Sequence, residues 1–203
     1  GFYKIMNCLK TNNKVRKLNI SRNNICSDVK IFKVVSKFLN INKTMEDLNM
    51  SHCQIEEKGS IIIGKGLRGN RNLQVLNLRG NQIKGGLIEI AKAFLENKKA
   101  LCLKELDLSK CWIASEHVTD EFFNMIKSQY TTLKTLNMRN NLIRFHTGER
   151  IKDALKINKT ITKLHIEFNN VKHHVVEQIE FLCKRNKKLD EVNQKNKNIH
   201  EIN

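Results

Sequence analysis

The chain has 203 residues, a formal net charge of +17, 40% hydrophobic residues and no proline. No run approaches the roughly 18 uninterrupted apolar residues that a helical membrane span needs, and the opening Gly1-Phe2-Tyr3-Lys4-Ile5 has no secretory hydrophobic region. The charge points toward polyanions, but the Lys residues are scattered over helices and turns and the 6% aromatics are too few to serve as base-stacking platforms. Nucleic-acid binding is therefore expected to be unspecific and salt-sensitive at most.

Residues 1–14 read as the end of a repeat, because Leu9 and Asn12 precede Val15 as Leu39 and Asn42 precede Met45. The chain is thus expected to be a fragment of a longer protein. From residue 15 one frame recurs six times, up to residue 188. It runs Val15, Leu18, Ile20, Asn23, Ile25, then Met45, Leu48, Met50, Cys53, Ile55, then Leu73, Leu76, Leu78, Asn81, Ile83. The remaining copies are Leu103, Leu106, Leu108, Cys111, Ile113, then Leu133, Leu136, Met138, Asn141, Ile143, and finally Ile161, Leu164, Ile166, Asn169, Val171. A fixed period of this length is the signature of a solenoid, in which each unit buries its apolar face only against its neighbours.

Alternating apolar residues around each central Leu predict short strands near 17–20, 47–50, 75–78, 105–108, 135–138 and 163–166. Sets such as Gly59, Ile63, Gly64, Leu67 and Gly86, Ile90, Ala91, Phe94 lie on one helical face. They place helices near 28–39, 57–69, 86–97, 116–128, 147–157 and 173–185. An Asn follows most helices (Asn12, Asn42, Asn70, Asn97, Asn158, Asn186), where a left-handed helix terminus is expected. The turn at 98–101 is longer than the others. The predicted architecture is α/β, a horseshoe with parallel strands on the concave face and helices on the convex face. A ladder of Asn23, Cys53, Asn81, Cys111, Asn141 and Asn169 turns inward at the strand exits to satisfy buried main-chain groups. Residues 189–203 begin a seventh copy, Leu189-x-x-Val192, which Gln194 and Lys197 then break, so they read as a degenerate or capping repeat.

These residues resemble the ribonuclease-inhibitor-like leucine-rich repeats over nearly the whole chain. That class has repeats of about 28 residues carrying a full helix, with Asn or Cys at the ladder position. The resemblance implies an intracellular, cytoplasmic setting, nuclear or ciliary in some members, and binding of another protein through the concave face and adjoining loops. Alternatives within the class are a GTPase regulator like the Ran GTPase activator, and a segment of a NOD-like sensor or axonemal scaffold. A monomer with no cofactor and no catalytic residues is expected. The six Cys read as reduced thiols rather than a disulfide framework.

Gly64-x-Gly66-x-x-Gly69 matches a dinucleotide-binding string, but that chemistry needs the glycines at a helix start. Here they fall at a predicted helix end, where small size for inter-helix packing explains them. The seven His show no metal-ligand spacing.

The concave columns carry the candidate contacts. Asn19, Asn49, Asn77, Asp107, Asn137, His165 and Asn193 are expected to form one polar column, and Ser21, Ser51, Arg79, Ser109, Arg139 and Glu167 the next. Arg79 and Arg139 are read as exposed planar cations suited to bidentate pairing with partner carboxylates. Trp112, Leu142 and Phe168 replace polar residues at loop positions of repeats four to six. Exposed, they would form a binding hot spot; the rival reading folds Trp112 back over its loop as a plug. The candidate partner-binding set is therefore Arg79, Trp112, Asn137, Arg139, Leu142, His165 and Phe168.

Overall fold

The structure, a computed structural model, describes residues 2–25, 29–97 and 101–202, with backbone alone at 197 and 199–202. The elements run α1 (Phe2–Leu9), β1 (Lys17–Asn19), α2 (Val29–Ile41), β2 (Asp47–Asn49), α3 (Glu57–Leu67), β3 (Val75–Asn77) and α4 (Leu87–Glu96). They continue through β4 (Glu105–Asp107), α5 (Asp120–Lys127), β5 (Thr135–Asn137), α6 (Phe145–Ile157), β6 (Lys163–His165) and α7 (His173–Ile202). Short 3-10 turns at Lys84–Gly86 and Ser115–His117 precede α4 and α5. The strands form one parallel sheet in sequence order, with Leu18, Leu48, Leu76, Leu106, Leu136 and Leu164 in register. The expected longer turn at 98–101 falls largely outside the described residues.

One hydrophobic core runs the length of the stack between the sheet and the helices. Each helix packs on the next, and glycines set how close they come. A Cβ on Gly64 would stand 2.7 Å from the Glu89 main chain, and one on Gly66 would stand 2.7 Å from the Ser36 main chain. Both lie in α3, near its C-terminal end, so the Gly64–Gly69 string serves helix packing.

The ladder does what its position predicts. The Asn81 side-chain oxygen accepts from the N–H groups of Cys53 and Ile55 at 3.0 and 2.9 Å, while its amide donates to the Met50 and Leu78 carbonyls. Asn141 repeats this arrangement with Cys111, Ile113, Leu108 and Met138. At Cys53 and Cys111 only a thiol reaches back, 3.1 and 3.2 Å from the Ile20 and Leu78 carbonyls. Burial pushes the Cys111 thiol up to about 12 and that of Cys183 to about 11, so both stay protonated.

Two expectations are corrected. The Asn residues after the helices are not left-handed termini: Asn97 and Asn158 have φ of −90° and −65°. Asn42, Asn70 and Asn158 are buried clamps between successive turns. The Asn42 amide donates to the Leu9 carbonyl at 2.8 Å and its oxygen accepts the Met45 N–H at 2.7 Å. Asn70 and Asn158 do likewise with Leu39 and Leu73, and with Ile126 and Ile161. The second correction is at the C-terminal end. No strand forms at Leu189–Val192; α7 continues as one helix of 30 residues. Gln194 and Lys197 offer no apolar side chain for a seventh strand to bury, so the chain continues in the helix already begun at His173.

Replacing Asn81 by Ala should strand three or four buried main-chain groups and cost about 3 kcal/mol, whereas Cys111→Ala should cost about 1 kcal/mol. Urea denaturation of the two variants measures the difference.

Candidate functional site

The strand face and the ascending loops, which run from each strand into its helix, carry all seven predicted contact residues. The structure gathers five of them into two groups, and Arg79 and Trp112 line neither. Asn137, Arg139 and His165 line a concave cavity of about 250 Å³ with Val75, Glu105 and Asp107. Leu142 and Phe168 line a separate groove of about 410 Å³ on the ascending rim, with Ala114, Glu116, Arg144 and Asn170.

On the concave face, the side-chain oxygen of each column residue accepts the N–H two residues on. Asn19, Asn49, Asn77, Asp107 and Asn137 do so at 2.8 to 3.1 Å. The column is therefore a row of Asx turns closing the strand exits. The other end of Asn137 donates to Asp107 at 3.2 Å, so this side chain is occupied within the fold. His165 breaks the pattern; its Nδ1 stands 3.5 Å from a Glu167 oxygen.

The reading of Arg139 as an available cation is corrected. Its guanidinium grips Glu167 with Nε and one terminal nitrogen at 2.7 and 2.9 Å, the planar two-point geometry that Arg favours. Burial opposes ionisation of Glu167, but the Arg139 hydrogen bonds, a main-chain N–H and the neighbouring positive charge outweigh it and hold its carboxyl at about 2. Glu167 occupies Arg139's own column one repeat on, so the column register contained this pairing. Arg79 remains exposed, with no ion pair among the described residues.

On the rim, Trp112, Leu142 and Phe168 are 61%, 56% and 76% exposed, which rules out the plug reading of Trp112. Phe168 has φ +60°, like Arg22, His52, Gly80, Lys110 and Asn140 at the same point of the other repeats. A left-handed residue is thus built into every strand exit. Trp112 (φ +57°) shares its conformation with Gln54, and each follows a ladder Cys. The conformation belongs to the turn, and its cost of about 1 to 2 kcal/mol gives no preference for an indole there. Parallel bridges pair Ala114 with Leu142 and Arg144 with Asn170, so successive ascending loops are held side by side.

A family model described as Leucine Rich repeat matches residues 42–59, 69–90 and 99–116. No curated protein sequence matches the chain significantly. Among solved structures, one titled Leiomodin-1 Actin-Binding Site 2 aligns with a TM-score of 0.63 at 19% identity, covering 98% of this chain and 96% of that one. A tropomodulin C-terminal domain from Caenorhabditis elegans aligns with a TM-score of 0.60 at 11% identity, covering 94% and 96%.

Glu167→Gln should lower stability by about 1 kcal/mol at pH 7. The folded carboxyl titrates below the ordinary value of 4.5, so this contribution is present above pH 4.5 and lost as pH falls toward 2. Thermal melts of both proteins across that range should converge at the acid end.

Proposed function

We propose that the chain, whose repeats match a Leucine Rich repeat model at residues 42–59, 69–90 and 99–116 and stack into one parallel sheet, is a ribonuclease-inhibitor-like leucine-rich-repeat module without enzymatic activity that binds a partner protein through its ascending rim and the adjoining concave face. The observation that carries this reading is the exposure of an indole, an isobutyl group and a phenyl ring on consecutive, mutually bridged loops. Large apolar side chains on a rigid surface gain by leaving water, and aromatic anchors dominate protein interfaces. The hydrogen-bonded loops lose little ordering entropy when a partner arrives. Arg79 and His165 orient that partner, and Arg144 and Glu116 form the polar border of the groove.

The partner to try first is actin, because the structure titled Leiomodin-1 Actin-Binding Site 2 aligns along almost the whole chain. Co-sedimentation with actin filaments, together with native electrophoresis against monomeric actin, tests it; no association at micromolar concentration removes actin as the partner. A GTPase-regulating role rests on Arg79 alone, because Arg139 is committed to Glu167. A turnover assay comparing Arg79→Ala with the parent tests that role.

Trp112→Ala combined with Phe168→Ala should reduce capture of the bound protein at least about tenfold, as expected when two anchor residues are truncated. The melting temperature should stay within about 2 °C, because exposed sites contribute little to stability. Unchanged capture by the double variant would overturn the rim as the docking site.

A further inference from the structure

On the opposite rim, each helix turns back into the next strand, and this edge has a different chemistry. The buried clamps Asn42, Asn70 and Asn158 fix the course of three turns. The residue immediately after each clamp is an exposed cation, Lys43, Arg71 and Lys159. Ile41 and Ile157 stand before two of the clamps, 42% and 60% exposed. Two grooves open between successive turns here. One of about 540 Å³ includes Ile41, Lys43 and Arg71; the other, of about 590 Å³, includes Lys127, Ile157 and Lys159.

We infer that this descending rim docks an acidic stretch of a partner protein that carries aliphatic side chains among its carboxylates. The charge balance supports this. The acids near the rim are already engaged: Glu46 with Arg16, Glu96 with Arg68, Asp153 with Lys156 and Asp190 with Lys134. Lys43, Arg71, Lys127 and Lys159 have no ion pair among the described residues. The rim therefore holds a row of unneutralised cations whose main chain is clamped, which draws carboxylates without much ordering cost. The spacing fits as well. Turns between strands about 4.8 Å apart and helices up to about 10 Å apart lie at intermediate distances, and an extended chain presents same-side groups about 6.8 Å apart. The exposed Ile side chains select a polypeptide over single-stranded nucleic acid, which would need aromatic platforms. Cations at helix C-termini also complement the helix dipole, but that role does not require exposed isoleucines beside them.

The test measures fluorescence anisotropy of a labelled peptide repeating Glu-Ser-Ile-Ser-Asp-Ser, which puts Ile on the same side of an extended chain as the carboxylates, with two comparison probes of equal charge: the same peptide with Gly for Ile, and an oligothymidylate. K43E/R71E/K127E/K159E is compared with K33E/K37E/K58E/K65E, which reverses the same number of exposed charges on α2 and α3. The rim variant should bind the Ile-bearing peptide at least about tenfold more weakly, and the helix variant within about twofold of the parent, because screening limits charge effects to about a Debye length. The Gly-bearing peptide should bind the parent more weakly than the Ile-bearing one. Equal losses in the two variants, tighter binding of the oligothymidylate, or no binding of the Ile-bearing peptide would each overturn the proposal. Trp112→Ala/Phe168→Ala should leave peptide affinity unchanged, so the two rims succeed or fail separately.

Discussion

A stacked array must bury the polar main chain of every turn, and side-chain amides resolve that conflict in most turns at each edge of this molecule. At the strand exits, Asn81 and Asn141 each satisfy two N–H groups of the preceding loop and two carbonyls. At the helix exits, Asn42, Asn70 and Asn158 tie each turn to the one before it. An unpaired buried amide or carbonyl costs about 1 to 3 kcal/mol, so losing one clamp is comparable to losing a core side chain. The leucines supply the driving force for stacking; the asparagines fix the path of the chain between them.

Clamped turns make both rims rigid platforms, and the two rims carry different side chains. The ascending rim carries Trp112, Leu142 and Phe168 in the open. The descending rim carries cations in register with the repeat. Between them, the strand face is largely self-satisfied, with Asx turns along one column and the Arg139–Glu167 pair in the next. A partner displacing that pair would first have to break two charge-assisted hydrogen bonds, whereas the rims lose only water. This is the physical reason for placing recognition on the edges rather than at the centre.

The two kinds of rung also show how one repeat position can serve two turn geometries. An Asn oxygen accepts two loop N–H groups, whereas a Cys thiol accepts neither well. The chain before each Cys rung compensates by bonding to the cysteine's own carbonyl, as Ile25 and Lys84 do with Cys53 and Cys111 at 3.3 Å. The residue after each of these cysteines becomes left-handed, which aims Gln54 and Trp112 differently from their counterparts Gln82 and Leu142.

The period, the parallel order of the strands and the inward ladder were legible in the amino-acid order, because spacing along a repeat translates directly into columns in space, whereas the exposure of Trp112 was decided only by the fold. Three further features needed the folded molecule. Arg139 looks like a free cation until register brings Glu167 beside it, and the Asn column looks like an open polar face until each oxygen is found on its own turn. The asparagines after the helices look like left-handed stops until they are seen bridging neighbouring coils. The end of the array was decided late as well. Leu189 and Val192 keep the spacing of another strand, yet a strand needs a buried partner face, and without one α7 runs on as helix to Ile202. Local pattern determines which side chains line up; only the packed neighbours determine which of them are already occupied.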